Sequence, residues 1–189
     1  MILKVVCQQR LVILDINGLL IKRALSDRTP PASNSVRLGI YRIFIRPKVR
    51  QFLKFLLKHF CCAIWSSMTH NNLKPLLGLL HREAKINEAN FCFIFDQHQC
   101  FARVNVYHPS KPGVLLLTKP FTSIVVPHNI FNTLLIDDTP EKAMYNNKGT
   151  CISPTPYDGS INDDIFEAKL IPYLIALYHS RLSISEFVI

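Results

Sequence analysis

Three short apolar runs, each cut off by a small or acidic residue, constrain this chain more than any other feature. Leu11-Val12-Ile13-Leu14 stops at Asp15, Cys62-Ala63-Ile64-Trp65 stops at Ser66, and Leu134-Leu135-Ile136, entered from Thr133, stops at Asp137. A run of about four residues without polar alternation is the signature of a parallel strand covered on both faces. Between the first two runs, after Arg46-Pro47, residues Val49, Phe52, Leu53, Leu56, Leu57 and Phe60 recur at three- and four-residue steps. That spacing predicts a helix with Pro47 in its first turn. Further helices are expected over 70–80, weakened by Pro75 and Gly78, over 140–146, and over 163–180, where Pro172 should kink the helix or break it in two.

Strand and helix alternate, so the fold class is α/β: a doubly wound parallel sheet with helices on both faces. Ligands of such sheets bind beyond the carboxyl ends of the strands, where all three stop residues stand. Segment 21–40, with Thr29-Pro30-Pro31 and Ser33-Asn34-Ser35, reads as a loop over the site, and 96–118 as a small hairpin insertion or flap. Neither is long enough for a domain of its own, so residues 1–189 are expected to form one domain.

The net charge is +9, and it is unevenly placed. Residues 1–60 carry twelve Lys/Arg against two acids, whereas residues 137–189 carry four against eight. No segment has five consecutive basic residues, and Arg50, Lys54 and Lys58 recur every four positions, as on the solvated face of a helix. Nucleic acid is therefore not the expected partner. Lys4, Gln8, Gln9 and Arg10 interrupt any secretory segment, and Asp15 makes a poor transit peptide. The longest charge-free run, 120–136, holds Pro120, Pro127 and His128 and is too short and polar to span a bilayer. Cys7, Cys61, Cys62, Cys92, Cys100 and Cys151 show no C-x-x-C spacing, and the seven histidines no H-x₃-H spacing. Free thiols in a reducing, intracellular compartment are expected, with Cys61-Cys62 in the core and no zinc site.

A carboxylate at one strand end, a hydroxyl at a second and paired carboxylates at a third suit magnesium-dependent phosphoryl transfer. Asp15 would attack phosphorus, Ser66 would hydrogen-bond a phosphate oxygen, and Asp137 with Asp138 would hold a hard cation. Lys119 stands in the right part of the chain to neutralise charge on the transferred group. Singly, each signal has a plainer meaning, since a strand-end Asp often caps a helix and a Ser-Ser pair often forms a turn. The ordered set favours function. Outside it, His70 follows the second motif, Asp96-Gln97 reads as a turn, and Asp158, Asp163 and Asp164 read as caps of the last helix.

Leu11-Val12-Ile13-Leu14-Asp15-Ile16-Asn17-Gly18, Arg46-Pro47, Ile64-Trp65-Ser66-Ser67, Phe93-Ile94-Phe95-Asp96-Gln97 and Asn132-Thr133-Leu134-Leu135-Ile136-Asp137-Asp138-Thr139-Pro140 resemble the FCP homology domain. This is the NLI-interacting-factor-like phosphatase branch of the haloacid dehalogenase (HAD) superfamily, and the likeness is closest to its uncharacterised plant-type members. It covers about residues 9–178. The resemblance implies a HAD-like sheet with a small flap and no large cap. It also implies Asp15 as the nucleophile that becomes an aspartyl-phosphate, Ser66, Ser67 and Lys119 as phosphate-binding residues, and Mg²⁺ held by Asp15, the backbone carbonyl of Asn17, Asp137 and Asp138.

One departure bears on activity. The family pattern D-x-D-x-T reads here Asp15-Ile16-Asn17-Gly18-Leu19, so the residue that shuttles the leaving-group proton is Asn17. Loss of a general acid typically costs about 10²–10⁴-fold, or about 3–5 kcal/mol of barrier, and least for an aryl phosphate, whose phenol needs the proton least. The resemblance thus implies a monomeric phosphoserine/phosphothreonine protein phosphatase of reduced power in nucleus or cytoplasm. The alternative is a binding protein resembling the Tim-type presequence receptors of mitochondrial import, whose motif endings Gly18-Leu19-Leu20 is similar to. In either case the cationic N-terminal part and Lys119 are expected to surround a site for a phosphorylated, acidic protein segment.

Overall fold

In the computed structural model β1 (Leu11–Leu14) is wholly buried, and the protein is built outward from it. The structure describes residues 10–109, 113–124 and 131–188. Lys4, Cys7, Gln8, Gln9, Pro127 and His128 of the sequence reading lie outside them. After β1 come β2 (Ile21–Leu25), β3 (Ser35–Leu38) and β4 (Tyr41–Ile45), then helix α1 (Val49–His59), β5 (Cys61–Trp65) and α2 (His70–Ala84). Next are β6 (Ile94–Phe95), β7 (Phe101–Tyr107), β8 (Leu115–Thr118), β9 (Thr133–Ile136), β10 (Cys151–Ile152), α3 (Ile171–His179) and α4 (Ile184–Phe187).

The central sheet is parallel, in the order β10-β9-β1-β5-β6. Side chains alternate between its faces. Val12, Leu14, Cys62, Ile64, Leu134 and Ile136 pack with buried residues of α1, α2 and α3, while Leu11, Ile13, Ala63, Trp65 and Leu135 meet Phe121, Ile124 and Ala143. Helical segments thus cover both faces, unequally: long helices on one, the 3₁₀ turns Phe121–Ser123 and Pro140–Ala143 on the other. The connection rule accounts for this. Crossovers from β1 to β5 to β6 run one way along the sheet and those to β9 and β10 the other way, so right-handed connections use opposite faces. The direction reverses at β1, which opens a crevice beyond its carboxyl end.

Several local expectations are corrected. Segment 21–40 is not a loop: β2, β4 and β3 form a three-stranded antiparallel sheet, and the turn-forming residues that dominate its composition serve the connection between β2 and β3. Pro47 precedes α1 rather than opening it, because Lys48 adopts a left-handed conformation (φ 62°) that redirects the chain. Pro75 and Gly78 do not weaken α2 enough to end it before Ala84, since Leu73, Leu76, Leu77, Leu79 and Leu80 form a continuous buried stripe. Pro172 does not split the helix expected over 163–180. A π-helical turn, Phe166–Leu170, precedes α3, with Ile171 N–H bonded to Phe166 O, and this wider turn accommodates the missing N–H. The helix expected over 140–146 contracts to the 3₁₀ turn at Pro140–Ala143.

Within 96–118, β7 pairs antiparallel with β8, as in the expected hairpin. No helix among the described residues is long and apolar enough to cross a membrane. The cysteines at 61, 62, 92, 100 and 151 form no disulfide among the described residues, and burial pushes the Cys62 thiol far up from its ordinary value.

Candidate active site

Strand register sets the site. Leu14 aligns with Ile64 on one side and Ile136 on the other, so Asp15 and Asp137 leave the sheet side by side and Ser66 one step further along. Asp15 N–H donates to Ile136 O (3.0 Å) and Asp137 N–H to Ile152 O (3.2 Å), which holds both residues in strand-like geometry past the strand ends. By alternation Asp15 and Asp137 point to the face covered by the 3₁₀ turns. Lys119 and Lys142 come from that cover. Their backbones are tied together, Lys119 N–H to Lys142 O at 2.8 Å, and Asn146 clamps the segment by donating to Lys119 O (3.0 Å) and accepting from Phe121 N–H (2.8 Å).

The ammonium of Lys119, wholly buried, lies 2.6 Å from Asp15 Oδ1 and 2.5 Å from Asp137 Oδ2. Lys142 Nζ stands 2.9 Å from Asp137 Oδ1, 3.6 Å from Asp15 Oδ2 and 4.0 Å from Asp138 Oδ1. Thr139 N–H also donates to Asp137 Oδ1 (3.0 Å). Burial opposes ionisation of Asp137, yet the two ammonium groups outweigh it and hold the carboxyl at about 2. Asp138 goes the other way. Burial, and then the charges of Asp15 and Asp137, push it up to about 7. Burial works against the charge on Lys142, but Asp15, Asp137 and Asp138 together raise its proton affinity above the ordinary lysine value.

Above these groups opens a cavity of about 520 Å³ whose walls include Asp15, Asn17, Ser66, Ser67, Asp138 and Lys142. Lys119 and Asp137 lie beneath its floor, fully buried. Ser66 Oγ accepts from Met68 N–H (3.2 Å), so the hydroxyl both closes a turn and faces the cavity. Asn17 Oδ1 accepts from Arg23 N–H (2.9 Å) at the start of the antiparallel sheet. Gly18 has φ +96°, and its carbonyl accepts from Tyr157 N–H (2.8 Å) and from the buried guanidinium of Arg46 (3.3 Å). Arg46 also grips Leu19 O and Thr155 O, each at 3.0 Å, and pairs with both carboxylate oxygens of Asp163 at 2.8 Å. Asp163 is therefore more than the helix cap it was expected to be, although it does accept from Ile165 N–H (3.3 Å).

Asp15, Asn17, Ser66, Ser67, Lys119, Asp137 and Asp138 are thus brought together. His70 is not part of the cavity wall. It pairs with Asp96 at 3.3 Å, and Asp96 caps the turn Gln97–Gln99 while holding His98 at 2.7 Å. The sequence reading assigned no role to Lys142. Its signal was present: four residues after Asp138 and five after Asp137, beyond Pro140, a helical turn returns its ammonium to both carboxylates.

Asp15, Asp137 and Asp138 offer carboxylate oxygens within 4.8 Å of one another. Asp138 Oδ1 is buried without a hydrogen-bond partner among the described residues. An all-oxygen donor set with one carboxylate oxygen left without a hydrogen bond fits a hard divalent cation such as Mg²⁺.

Residues 10–184 match the family model described as NLI interacting factor-like phosphatase. An uncharacterised FCP1 homology domain-containing protein of Schizosaccharomyces pombe is 26% identical over 174 residues, covering 88% of this chain and 70% of that protein. Two solved structures share the fold. One is a variant of the fission yeast RNA polymerase II CTD phosphatase Fcp1 bound to beryllium fluoride (TM-score 0.55, 16% identity, 84% of this chain and 45% of that one). The other is Fcp1, an essential RNA polymerase II CTD phosphatase (TM-score 0.56, 16% identity, 90% and 50%). The chain spans about half the length of those solved chains, and its parallel core with a small antiparallel insertion and no large cap is HAD-like.

Proposed function

We propose that the chain, which belongs to the NLI interacting factor-like phosphatase family, is a Mg²⁺-dependent phosphatase for phosphoserine or phosphothreonine in a protein segment, slowed at Asn17. The observation that carries this reading is the meeting of Asp15, Lys119, Asp137 and Asp138, from three distant segments, at one cavity. A set that only stabilised the fold would need no unmatched carboxylate facing a cavity.

In the proposed reaction an Asp15 oxygen attacks phosphorus. An Asp15 O–P bond forms as the P–O bond to the leaving group breaks, and water then hydrolyses the aspartyl-phosphate. Ser66 and Ser67 donate to the phosphoryl oxygens, and Lys119 offsets the charge spread over them. Asp15, the Asn17 carbonyl, Asp137 and Asp138 would hold Mg²⁺, which when bound screens the phosphate dianion from the carboxylates. Asn17 donates a hydrogen bond and carries no exchangeable acid proton, so an alkoxide leaves with little help. The proteins that share the fold act on the RNA polymerase II CTD, which supports a protein substrate here.

The test is turnover of an aryl phosphate and of a phosphoserine peptide with Mg²⁺, for wild type, Asp15→Asn and Asn17→Asp. Slow aryl phosphate turnover that vanishes in Asp15→Asn is expected. In Asn17→Asp, a rise of about 10²–10⁴-fold is expected, larger for the peptide. Activity that first appears in Asn17→Asp would make the natural chain a binding protein. A wild type faster on the peptide than on the aryl ester would overturn the account of Asn17.

A further inference from the structure

Part of the positive charge lies well away from the catalytic cavity. Of the eleven described Lys/Arg in residues 10–60, only Arg23 lines that cavity, and Arg46 is spent inside the fold. Arg50, Lys54 and Lys58 instead run along the exposed face of α1. They lead to a second cavity, also about 520 Å³, lined by Arg10, Lys58, His59 and Arg181. It lies at the opposite pole of the sheet, where β1 and β9 begin. The four residues of β1 separate the two cavities by at least ~13 Å at ~3.3 Å per residue, so one phosphate cannot touch both.

Among the described residues no carboxylate faces this pole. All 13 Asp and Glu side chains belong to the described residues, and none lines the cavity. None forms an ion pair with Arg10, Lys58 or Arg181. The acid nearest in sequence, Glu186, is turned into a capping box, accepting from Ser183 N–H (2.8 Å) and Ser183 Oγ (2.7 Å). The walls are also preformed. Arg10 donates to Leu177 O, to Ser180 O (2.9 Å) and to Leu182 O (2.7 Å), pinning the end of α3 to the start of β1. The His59 ring lies between Phe55 (4.9 Å) and Tyr178 (4.8 Å), and Phe60 packs edge-on to Tyr178 at 5.9 Å.

We infer that this pole is a second anion-recognition site that takes a phosphate-bearing group, separate from the catalytic cavity. Three cations and a histidine around one concave space leave a singly charged carboxylate outnumbered, whereas a phosphate dianion presents two charges and three acceptor oxygens. The rings of Tyr178 and Phe60 supply an apolar wall for the organic part of the ligand.

The test is titration of the ¹⁵N-labelled chain at constant ionic strength with pyrophosphate, and separately with a phosphoserine peptide. The backbone amides of Phe60, Tyr178, Arg181 and Leu182 are followed beside those of Ser67, Met68 and Thr139. Both groups are expected to shift. Lys58→Glu with Arg181→Glu should weaken the shifts at the pole at least tenfold and leave the catalytic group unchanged, and the milder pair Lys58→Gln with Arg181→Gln should weaken them less. The tighter of the two probes identifies the source of the phosphate. Shifts confined to the catalytic amides, shifts that survive charge reversal, or shifts reproduced by sodium chloride would overturn the inference.

Discussion

The carboxylate of Asp138 occupies the space where a Cβ of residue 18 would stand, so Gly18 and Asp138 can share the site only because residue 18 is glycine. Its φ of +96° adds a second demand for glycine. Gly18→Ala is therefore expected to expel Asp138 from its place and to lower stability by about 1–3 kcal/mol. Urea unfolding reads the stability loss, and calorimetric Mg²⁺ titration reads weaker cation binding.

Asp138 should also set a pH dependence in the metal-free protein. Its native value is about 7 against an ordinary 3.8. Below 3.8 both states hold the proton. Between 3.8 and 7 the unfolded chain releases it first, so stability falls as pH rises, and above 7 the effect is complete. Melting in EDTA from pH 5 to pH 8 should show a decline that Asp138→Asn flattens and that millimolar Mg²⁺ removes at pH 8. A decline of equal size in Asp138→Asn would assign it to another group.

Lys142 is expected to act as a counter-ion for the carboxylates as much as a wall of the cavity. In Lys142→Met, Asp15 and Asp137 lose a partner while remaining buried, a change that typically costs about 3–5 kcal/mol. Mg²⁺ should recover part of that loss, because a cation can replace the missing charge. Denaturation with and without Mg²⁺ measures both, and a loss under about 1 kcal/mol would mean that Lys119 suffices.

Arg46 and Asp163 hold the Gly18–Leu19 turn from behind. Burial opposes ionisation of Asp163, but the hydrogen bonds and charge of Arg46 outweigh it and keep its carboxyl below the usual value. The stability from this pair is complete above about pH 4 and is lost as pH falls through the native value. Asp163→Asn should shrink the acid-induced loss measured below pH 4. Arg46→Met should cost about 3–5 kcal/mol and loosen Gly18 and Leu19, whose carbonyls it holds, raising amide exchange at Leu20 and Ile21.

The parallel core was legible because β1, β5 and β9 are short, apolar but for Thr133, and abruptly ended, and burial on both faces leaves that mark in sequence. Their end residues, Asp15, Ser66 and Asp137, were legible for the same reason. The antiparallel strands in 21–45 were hidden because their pairing joins residues up to 24 apart, Ile21 with Ile45, and the connecting turn supplies the stronger local signal. The course of the chain through Pro75 and Pro172 was hidden as well, since tertiary packing outweighs the local preference of one residue.

By itself the sequence determined the strand ends, the order of the motif residues and the asparagine at position 17. Those are properties of local pattern and of side-chain chemistry. Only the tertiary structure decided that Lys119 reaches Asp15 across 104 residues, that Asp138 alone among the three carboxylates lacks a hydrogen-bonded cation, and that Arg10, Lys58 and Arg181 meet at a second cavity at the far end of the sheet. Charge and burial act through space, and which charges become neighbours is settled when distant segments pack.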